Sequence, residues 1–300
     1  MSTDLTRPRR PTAAQWAAGA RPRTLPAAIS PVLAGSGVAG WAGGFSPVEA
    51  LLALAVSLAL QVGVNYANDY SDGIRGTDAD RVGPLRLVGS GVAEPRSVKV
   101  AAFACFGIAA LAGLALVVLT QLWWLLAVGV ACILAAWYYT GGRRPYGYRG
   151  LGEVFVFAFF GLVAVSGTVL VQLRGLPWQT WPVAIGIGAL ACSILVANNL
   201  RDLRGDLAVG KRTLATRLGD AGTRRFYVVL IAAAGVAVVV VAVTTTWWAL
   251  LGLVGVALLV PAVRTVLGGA QGPALIAVLK ASGTAELGYA IGLAVGLILG

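Results

Sequence analysis

Two clusters of acid and amide side chains hold the residues of this sequence that could do chemistry. The first reads Asn65-Tyr66-Ala67-Asn68-Asp69-Tyr70-Ser71-Asp72 and the second Asn198-Asn199-Leu200-Arg201-Asp202-Leu203-Arg204-Gly205-Asp206, each at the end of a long apolar run. An aspartate at the centre of a bilayer costs roughly 2.5 to 3.5 kcal/mol even on lenient insertion scales, so acids beside membrane segments point to function, with a cation as partner. On a helix, Asn65, Asp69 and Asp72 fall at i, i+4, i+7 and Asn198, Asp202 and Asp206 at i, i+4, i+8, which predicts two columns of oxygen ligands. Such oxygens suit Mg2+, which takes one or two carboxylates and completes its shell with waters and phosphates. A metal-bridged diphosphate is the expected substrate. The alternative for these acids is helix capping, or salt bridging to Arg75, Arg81, Arg201 and Arg204. Glu153 and Glu286, near predicted helix starts, could complement the helix dipole.

Downstream of the second cluster, Lys211 and Arg212 in Gly210-Lys211-Arg212-Thr213-Leu214 could neutralise a departing diphosphate, since Arg forks suit phosphate oxygens. Gly205 to Lys211 spells GxxxxGK, but Arg212 stands where a phosphate-binding loop needs Ser or Thr, and no strand precedes it. There is no histidine, which removes the commonest zinc ligand and the commonest general base. Cys105, Cys132 and Cys192 lie inside predicted spans without metal or disulfide spacing and read as packing residues.

The elements that position these clusters are membrane helices. Of 300 residues, 58% are hydrophobic and 12% charged, against about 25% charged in soluble domains. The fold class is therefore all-α and polytopic. Runs near the 20 residues needed to cross a bilayer predict nine spans at 24–42, 48–68, 98–119, 122–140, 151–173, 180–200, 226–245, 247–267 and 284–299. Overlaying Asn65 on Asn198 places Asp69 on Asp202, so spans 1–4 and 5–8 read as two pseudo-repeated four-helix halves, with span 9 outside the repeat. Paired segments in two halves commonly mark a site between them.

With nine spans, every basic residue except Arg174 falls on one side, which the positive-inside rule makes cytoplasmic. The chain then divides into a cytoplasmic N-terminal arm, 1–23, and a single integral-membrane domain, 24–300, with cytoplasmic site loops at 69–97 and 201–225. This asymmetry accounts for the net charge of +11 and argues against a nucleic-acid partner. Residues 1–23 are polar and proline-rich, unlike a cleavable signal. The location predicted is the inner (cytoplasmic) membrane, with the lipid bilayer as partner.

At the acidic clusters the chain resembles the UbiA superfamily of membrane prenyltransferases, whose two Asp-rich motifs close helices two and six and hold Mg2+ and a prenyl diphosphate. Asn68-Asp69-Tyr70-Ser71-Asp72-Gly73-Ile74-Arg75-Gly76-Thr77-Asp78, Val82-Gly83-Pro84-Leu85-Arg86 and Gly89-Ser90-Gly91 resemble the branch that prenylates 1,4-dihydroxy-2-naphthoate in menaquinone synthesis. So do Arg21-Pro22-Arg23-Thr24-Leu25-Pro26, Tyr139-Thr140-Gly141-Gly142, Arg144-Pro145-Tyr146-Gly147-Tyr148-Arg149-Gly150-Leu151-Gly152-Glu153 and Gly210-Lys211-Arg212-Thr213-Leu214-Ala215. The wider superfamily carries a further acid where this chain has Gly76, which leaves Asp78 open as a ligand.

The resemblance implies transfer of a polyprenyl group from polyprenyl diphosphate to 1,4-dihydroxy-2-naphthoate, with loss of CO2 and diphosphate, giving demethylmenaquinone. Asp69, Asp72, Asp202 and Asp206 would hold two Mg2+ ions, with Asn65, Asn68 and Asn198 assisting and Lys211 and Arg212 meeting the diphosphate. Tyr66, Tyr70, Tyr138 and Tyr139 could face the allylic cation. Arg23, Arg144 or Arg149 would meet the acceptor's carboxylate. A related prenyltransferase with another acceptor, such as a hydroxybenzoate, homogentisate, haem or a sugar phosphate, is the alternative within enzymes. A cation-coupled transporter is the alternative outside them, disfavoured because transporter acids sit mid-span whereas these crowd one face.

Overall fold

The computed structural model describes residues 11–76, 85–142, 145–208 and 210–300; Asp78, Asp80 and Arg144 lie outside them. In chain order the helices are α1 (Ala13–Gly19), α2 (Leu25–Trp41), α3 (Pro47–Arg75), α4 (Pro95–Thr120), α5 (Leu125–Tyr138), α6 (Gly152–Leu173), α7 (Thr180–Ala208), α8 (Leu214–Thr244), α9 (Trp247–Leu267) and α10 (Gly272–Leu299). No strand occurs among the described residues.

Seven of these, α3, α4 and α6 to α10, are long and apolar enough to cross a membrane. The expected spans at 24–42 and 122–140 correspond to α2, with 17 residues, and α5, with 14. At 1.5 Å per residue these rise only roughly 25 and 21 Å, short of the about 30 Å hydrocarbon layer. Elsewhere helices outrun the apolar segments. The first acidic cluster lies on α3, which continues to Arg75, and the second on α7, which continues to Ala208. The charged stretch before residue 226 is also helical from Leu214, broken only at Gly219 with φ of 70°. Hydropathy marks where a helix leaves lipid, not where it stops.

The bundle packs by pairs. α3 runs along α4, α7 along α8, and α10 lies against α2, α7 and α9. Several buried polar groups are paired across helices, as a low-dielectric interior favours, whereas the carboxylate of the fully buried Glu286 on α10 meets no hydrogen-bond partner among the described residues. The Tyr227 and Ser282 hydroxyls share a 2.9 Å hydrogen bond, and the Tyr289 hydroxyl donates to the Ala234 carbonyl at 3.2 Å. The buried Arg224 pairs with Asp220 at 2.6 Å and donates to the Ala270 carbonyl at 2.9 Å, tying α8 to the end of α9. The outer surface is apolar: Leu111, Val236 and Trp247 are 70%, 64% and 69% exposed. Faces of that composition are solvated by lipid, so this is a multi-pass membrane protein.

α6 contains a π-helical stretch, Phe157–Val163, where α6 crosses α7 closely. A Cβ at Gly161 would stand 2.7 Å from the Ala184 carbonyl oxygen and 2.7 Å from the Gly188 Cα. Both are backbone atoms that cannot rotate away. Gly161→Ala is therefore expected to destabilise the bundle by about 1–3 kcal/mol. Thermal unfolding in detergent should show it, with Gly107→Ala, which meets nothing within 4 Å, near wild type.

Candidate active site

α3 and α7 deliver their polar ends to one cavity of about 1310 Å³. Along α3 its wall runs from Ala53 through Val56, Leu60, Gln61, Asn65 and Asn68 to Asp72, a rise of roughly 28 Å at 1.5 Å per residue. The Ala53 end is apolar, joined by Val32, Leu116, Val117 and Val171. The Asp72 end is polar, joined by Arg21, Arg86, Tyr139, Tyr148, Asn198, Arg201, Lys211 and Lys280.

Successive helical residues turn by about 100°, so Asn65, Asn68 and Asp72 share a sector from which Asp69 is rotated away. Asn65 donates to the Ala20 carbonyl and to Thr24 Oγ1, each at 2.9 Å, and Asn68 accepts the Thr140 hydroxyl at 2.7 Å. Of the four acids expected as metal ligands only Asp72 lines the cavity; Asp202 and Asp206 pair with the lining residues Arg201 and Lys211, and Asp69 is fully buried away from the wall. Its Oδ2 accepts the Leu87 N–H at 2.7 Å and its Oδ1 the Val88 N–H at 2.9 Å. Leu87 packs against Gly19 and Tyr66, and Val88 against Gly73. Asp69 thereby pins the strip between α3 and α4 onto α3, and the intervening geometry sends Arg86 into the cavity.

Arg86 Nη2 lies 3.5 Å from Asp72 Oδ2, and Asp72 also accepts the Tyr148 hydroxyl. The Tyr148 ring lies under Lys211 Nζ at 5.0 Å, and that ammonium pairs with Asp206 at 3.3 Å. Tyr148 thus links the two acidic clusters. Lys211 reaches Asp206 because Gly210, with φ of 70°, turns the chain back at the end of α7, its successor's N–H meeting the Asp206 carbonyl at 2.9 Å. Asp202 is held sideways by its neighbour, Arg201 donating at 2.7 and 2.6 Å; this is the salt bridge that the sequence left as the alternative. Among the described residues no three acid or thiol groups gather as a self-sufficient metal cluster. The donor set still fits Mg2+, whose usual sites combine one or two carboxylates with waters and substrate phosphates.

Residues 28–283 match the UbiA prenyltransferase family. The chain belongs to this family. It is 54% identical to the 1,4-dihydroxy-2-naphthoate octaprenyltransferase of Mycobacterium tuberculosis, over 96% of this chain and 98% of that protein. It is 42% identical to the enzyme of the same description from Escherichia coli, over 71% of each. Among solved structures it resembles an apo UbiA homolog from Aeropyrum pernix, with a TM-score of 0.68 at 16% identity, covering 91% of this chain and 97% of that one. A UbiA homolog from Archaeoglobus fulgidus bound to GPP and Mg2+ gives a TM-score of 0.64 at 13% identity, covering 95% and 100%.

Other expected UbiA site residues are distributed unevenly. Arg23, Tyr139 and Asn198 face the cavity. Tyr70 does not; it stacks on Trp137 at 6.1 Å beneath Lys99. Arg149 and Arg212 point outward, and the Arg149 carbonyl accepts the Arg217 guanidinium at 2.8 Å. Arg86, Tyr148, Arg21 and Lys280 reach the cavity without having been singled out. Arg21 adopts a left-handed backbone, φ of 53°, a conformation costly for a non-glycine residue and often kept at functional sites. Arg75 donates to the Thr140 and Gly142 carbonyls and so clasps the Tyr139-Thr140-Gly141-Gly142 turn to α3. Burial pushes the Tyr146 phenol up, keeping it a neutral donor to the Ala135 carbonyl.

The position of Asp69 yields a test. Asp69→Ala strands two amide donors at a cost of about 1–3 kcal/mol, so limited trypsin digestion after Arg86 should accelerate alongside any loss of activity. Activity lost with unchanged digestion would instead mark Asp69 as acting directly on the substrate complex.

Proposed function

We propose that the chain transfers a polyprenyl group from polyprenyl diphosphate to 1,4-dihydroxy-2-naphthoate, releasing diphosphate and CO2 and giving demethylmenaquinone in its quinol form. The observation that carries this is the 54% identity to a 1,4-dihydroxy-2-naphthoate octaprenyltransferase over nearly the whole chain. A cavity polar at one end and apolar at the other, the shape a diphosphate headgroup with an oily tail requires, supports it.

In this reading the diphosphate lies among Arg86, Lys211 and Arg201, each already beside an aspartate. Asp72, Asp206 and Asp202, with the Asn68 amide, are the residues able to hold Mg2+, two ions in all. Mg2+ bound there would neutralise the charge that develops on the departing diphosphate. Asn65 acts through the Thr24 and Ala20 contacts that shape the wall, and Asn198 stands opposite on α7. Tyr139 and the ladder Tyr146, Phe155 and Phe159, with ring separations of 5.4, 4.0 and 6.0 Å, offer π-faces to the allylic cation, worth roughly 0.5–2 kcal/mol or more when dry. Arg21, Arg23 and Lys280 are the cavity cations left for the acceptor's carboxylate. The tail lies along α3 towards Ala53, where apolar walls keep water from the cation.

The domain reading is an N-terminal arm, 1–23, and one membrane domain, 24–300. α2 and α5 complete nine membrane-inserted helices as two four-helix halves and a ninth, with arm, loops and polar mouth facing the cytoplasm.

Purified protein given Mg2+, a prenyl diphosphate and 1,4-dihydroxy-2-naphthoate should form the prenylated naphthoquinol and release diphosphate. Absence of that product, while a hydroxybenzoate or homogentisate is prenylated, would overturn the acceptor. Arg86→Ala is expected to raise KM for the prenyl diphosphate tenfold or more, equivalent to about 1.4 kcal/mol, with KM for the acceptor little changed.

A further inference from the structure

Glu153 is an acid on the cavity wall that no cation matches. It lies in the first turn of α6 and is 5% exposed. Its Oε1 accepts Asn199 Nδ2 at 2.8 Å, and among the described residues no Lys or Arg pairs with it, unlike Asp72, Asp202 and Asp206. Asn199 belongs to the second acidic cluster, so this carboxylate is fixed to the helix that also carries Asp202 and Asp206. Cys192 Sγ donates to the Glu153 backbone carbonyl at 3.1 Å, which anchors the turn without engaging the side chain. A group that served only the helix dipole would gain nothing from burial, since the dipole effect is available at the surface.

The titratable groups near it are the Tyr139 phenol, from the turn after α5, and the Cys192 thiol on α7, which also feels the buried Glu286 of α10. The Tyr139 hydroxyl lies 3.5 Å from where a Cβ on Gly152 would stand. Glu153 therefore borders the aromatic part of the cavity, at the level of Tyr139 and Asn199, and among the described residues its Oε2 accepts no hydrogen bond from another residue's side chain.

We propose that Glu153 is the general base for the aromatic acceptor. This rests on the reading above that the acceptor is a dihydroxynaphthoate. Oε2 takes the proton of a ring hydroxyl as the ring carbon forms its bond to the allylic carbon, whose C–O bond to diphosphate breaks. The hydroxyl's electron pair becomes a ring carbonyl, leaving a β-keto carboxylate. That carboxylate leaves as CO2, the electron pair of the broken C–C bond returning to the ring as an enolate. The enolate oxygen takes the proton back from Glu153, so the carboxylate is regenerated and no oxidant is consumed. Asn199 is the positioning residue, holding Oε1 so that Oε2 faces the cavity.

General-base groups contribute on the order of 10²–10⁴ in rate. Glu153→Gln is therefore expected to lower kcat for naphthol prenylation about a hundredfold or more while Kd for the prenyl diphosphate stays within about twofold of wild type. Glu153→Asp should recover part of the rate. Glu153→Ala should be rescued by added formate in a concentration-dependent way, which a packing role does not allow. A Glu153→Gln enzyme with the wild-type rate overturns the assignment. So does a rate loss matched by loss of prenyl diphosphate binding in both Glu153→Gln and Glu153→Asp, or an Ala variant that formate leaves inert. If wild-type protein itself prenylates no dihydroxynaphthoate, the failure lies with the acceptor reading instead.

Discussion

A carboxylate withdrawn from water has to be met by a cation or by hydrogen-bond donors, because its desolvation is otherwise uncompensated. That constraint organises the polar end of this bundle. Asp69 is met by two backbone amides, Asp72 by Arg86 and Tyr148, Asp202 by Arg201 and Asp206 by Lys211. Except for Arg201, which lies on α7 beside Asp202, the partners come from the segments between helices, so Asp69, Asp72 and Asp206 set the course of the chain around the mouth. The loops in turn set the cations where a polyanion enters. The same compensation that lets the acids exist near the membrane gathers the cations proposed to meet the diphosphate.

The rest of the bundle supplies a dry wall. α3 serves both ends of the cavity, with Asn65, Asn68 and Asp72 at one and Ala53 and Val56 at the other, so in the proposed reaction a single helix would fix headgroup and tail relative to each other. The close crossing at Gly161 and Gly188 brings α6 onto α7 and presents Phe155 and Phe159 to the same cavity that Asn198 and Arg201 enter from α7. Positioning by rigid helices rather than loops suits a reaction in which a short-lived cation must be generated next to its acceptor.

Much of this was legible in the sequence, and the exceptions have physical causes. The apolar runs identified a helical membrane protein, and the acid clusters marked the helix ends that share the cavity. The i, i+4, i+7 spacing placed Asp69 with Asp72, but sequence periodicity gives angles about one axis without saying which sector faces the cavity. The neighbour Asn68 proved to be centred and Asp69 to be turned towards Leu87 and Val88. Arg86 and Tyr148 lie on irregular chain, where periodicity carries no information and only three-dimensional pairing with Asp72 reveals them. Tyr70, Arg149 and Arg212 sit in the motifs beside residues that do reach the cavity, and motif membership alone does not distinguish the inward residue from the outward one. α2 and α5 are shorter than the predicted spans because a hydropathy window also counts apolar residues outside the helix, such as Leu122 and Trp123 before α5.

Asp72, held by Arg86 and Tyr148 in this structure, is proposed to be released to a magnesium-bound diphosphate. Titration of prenyl diphosphate into the wild type and Asp72→Asn, with and without Mg2+, tests it most directly. The expected result is strong enhancement of binding by Mg2+ in the wild type and little or none in Asp72→Asn, whose metal-free affinity is equal or higher because Arg86 is no longer neutralised. The same Mg2+ enhancement in both proteins would contradict it.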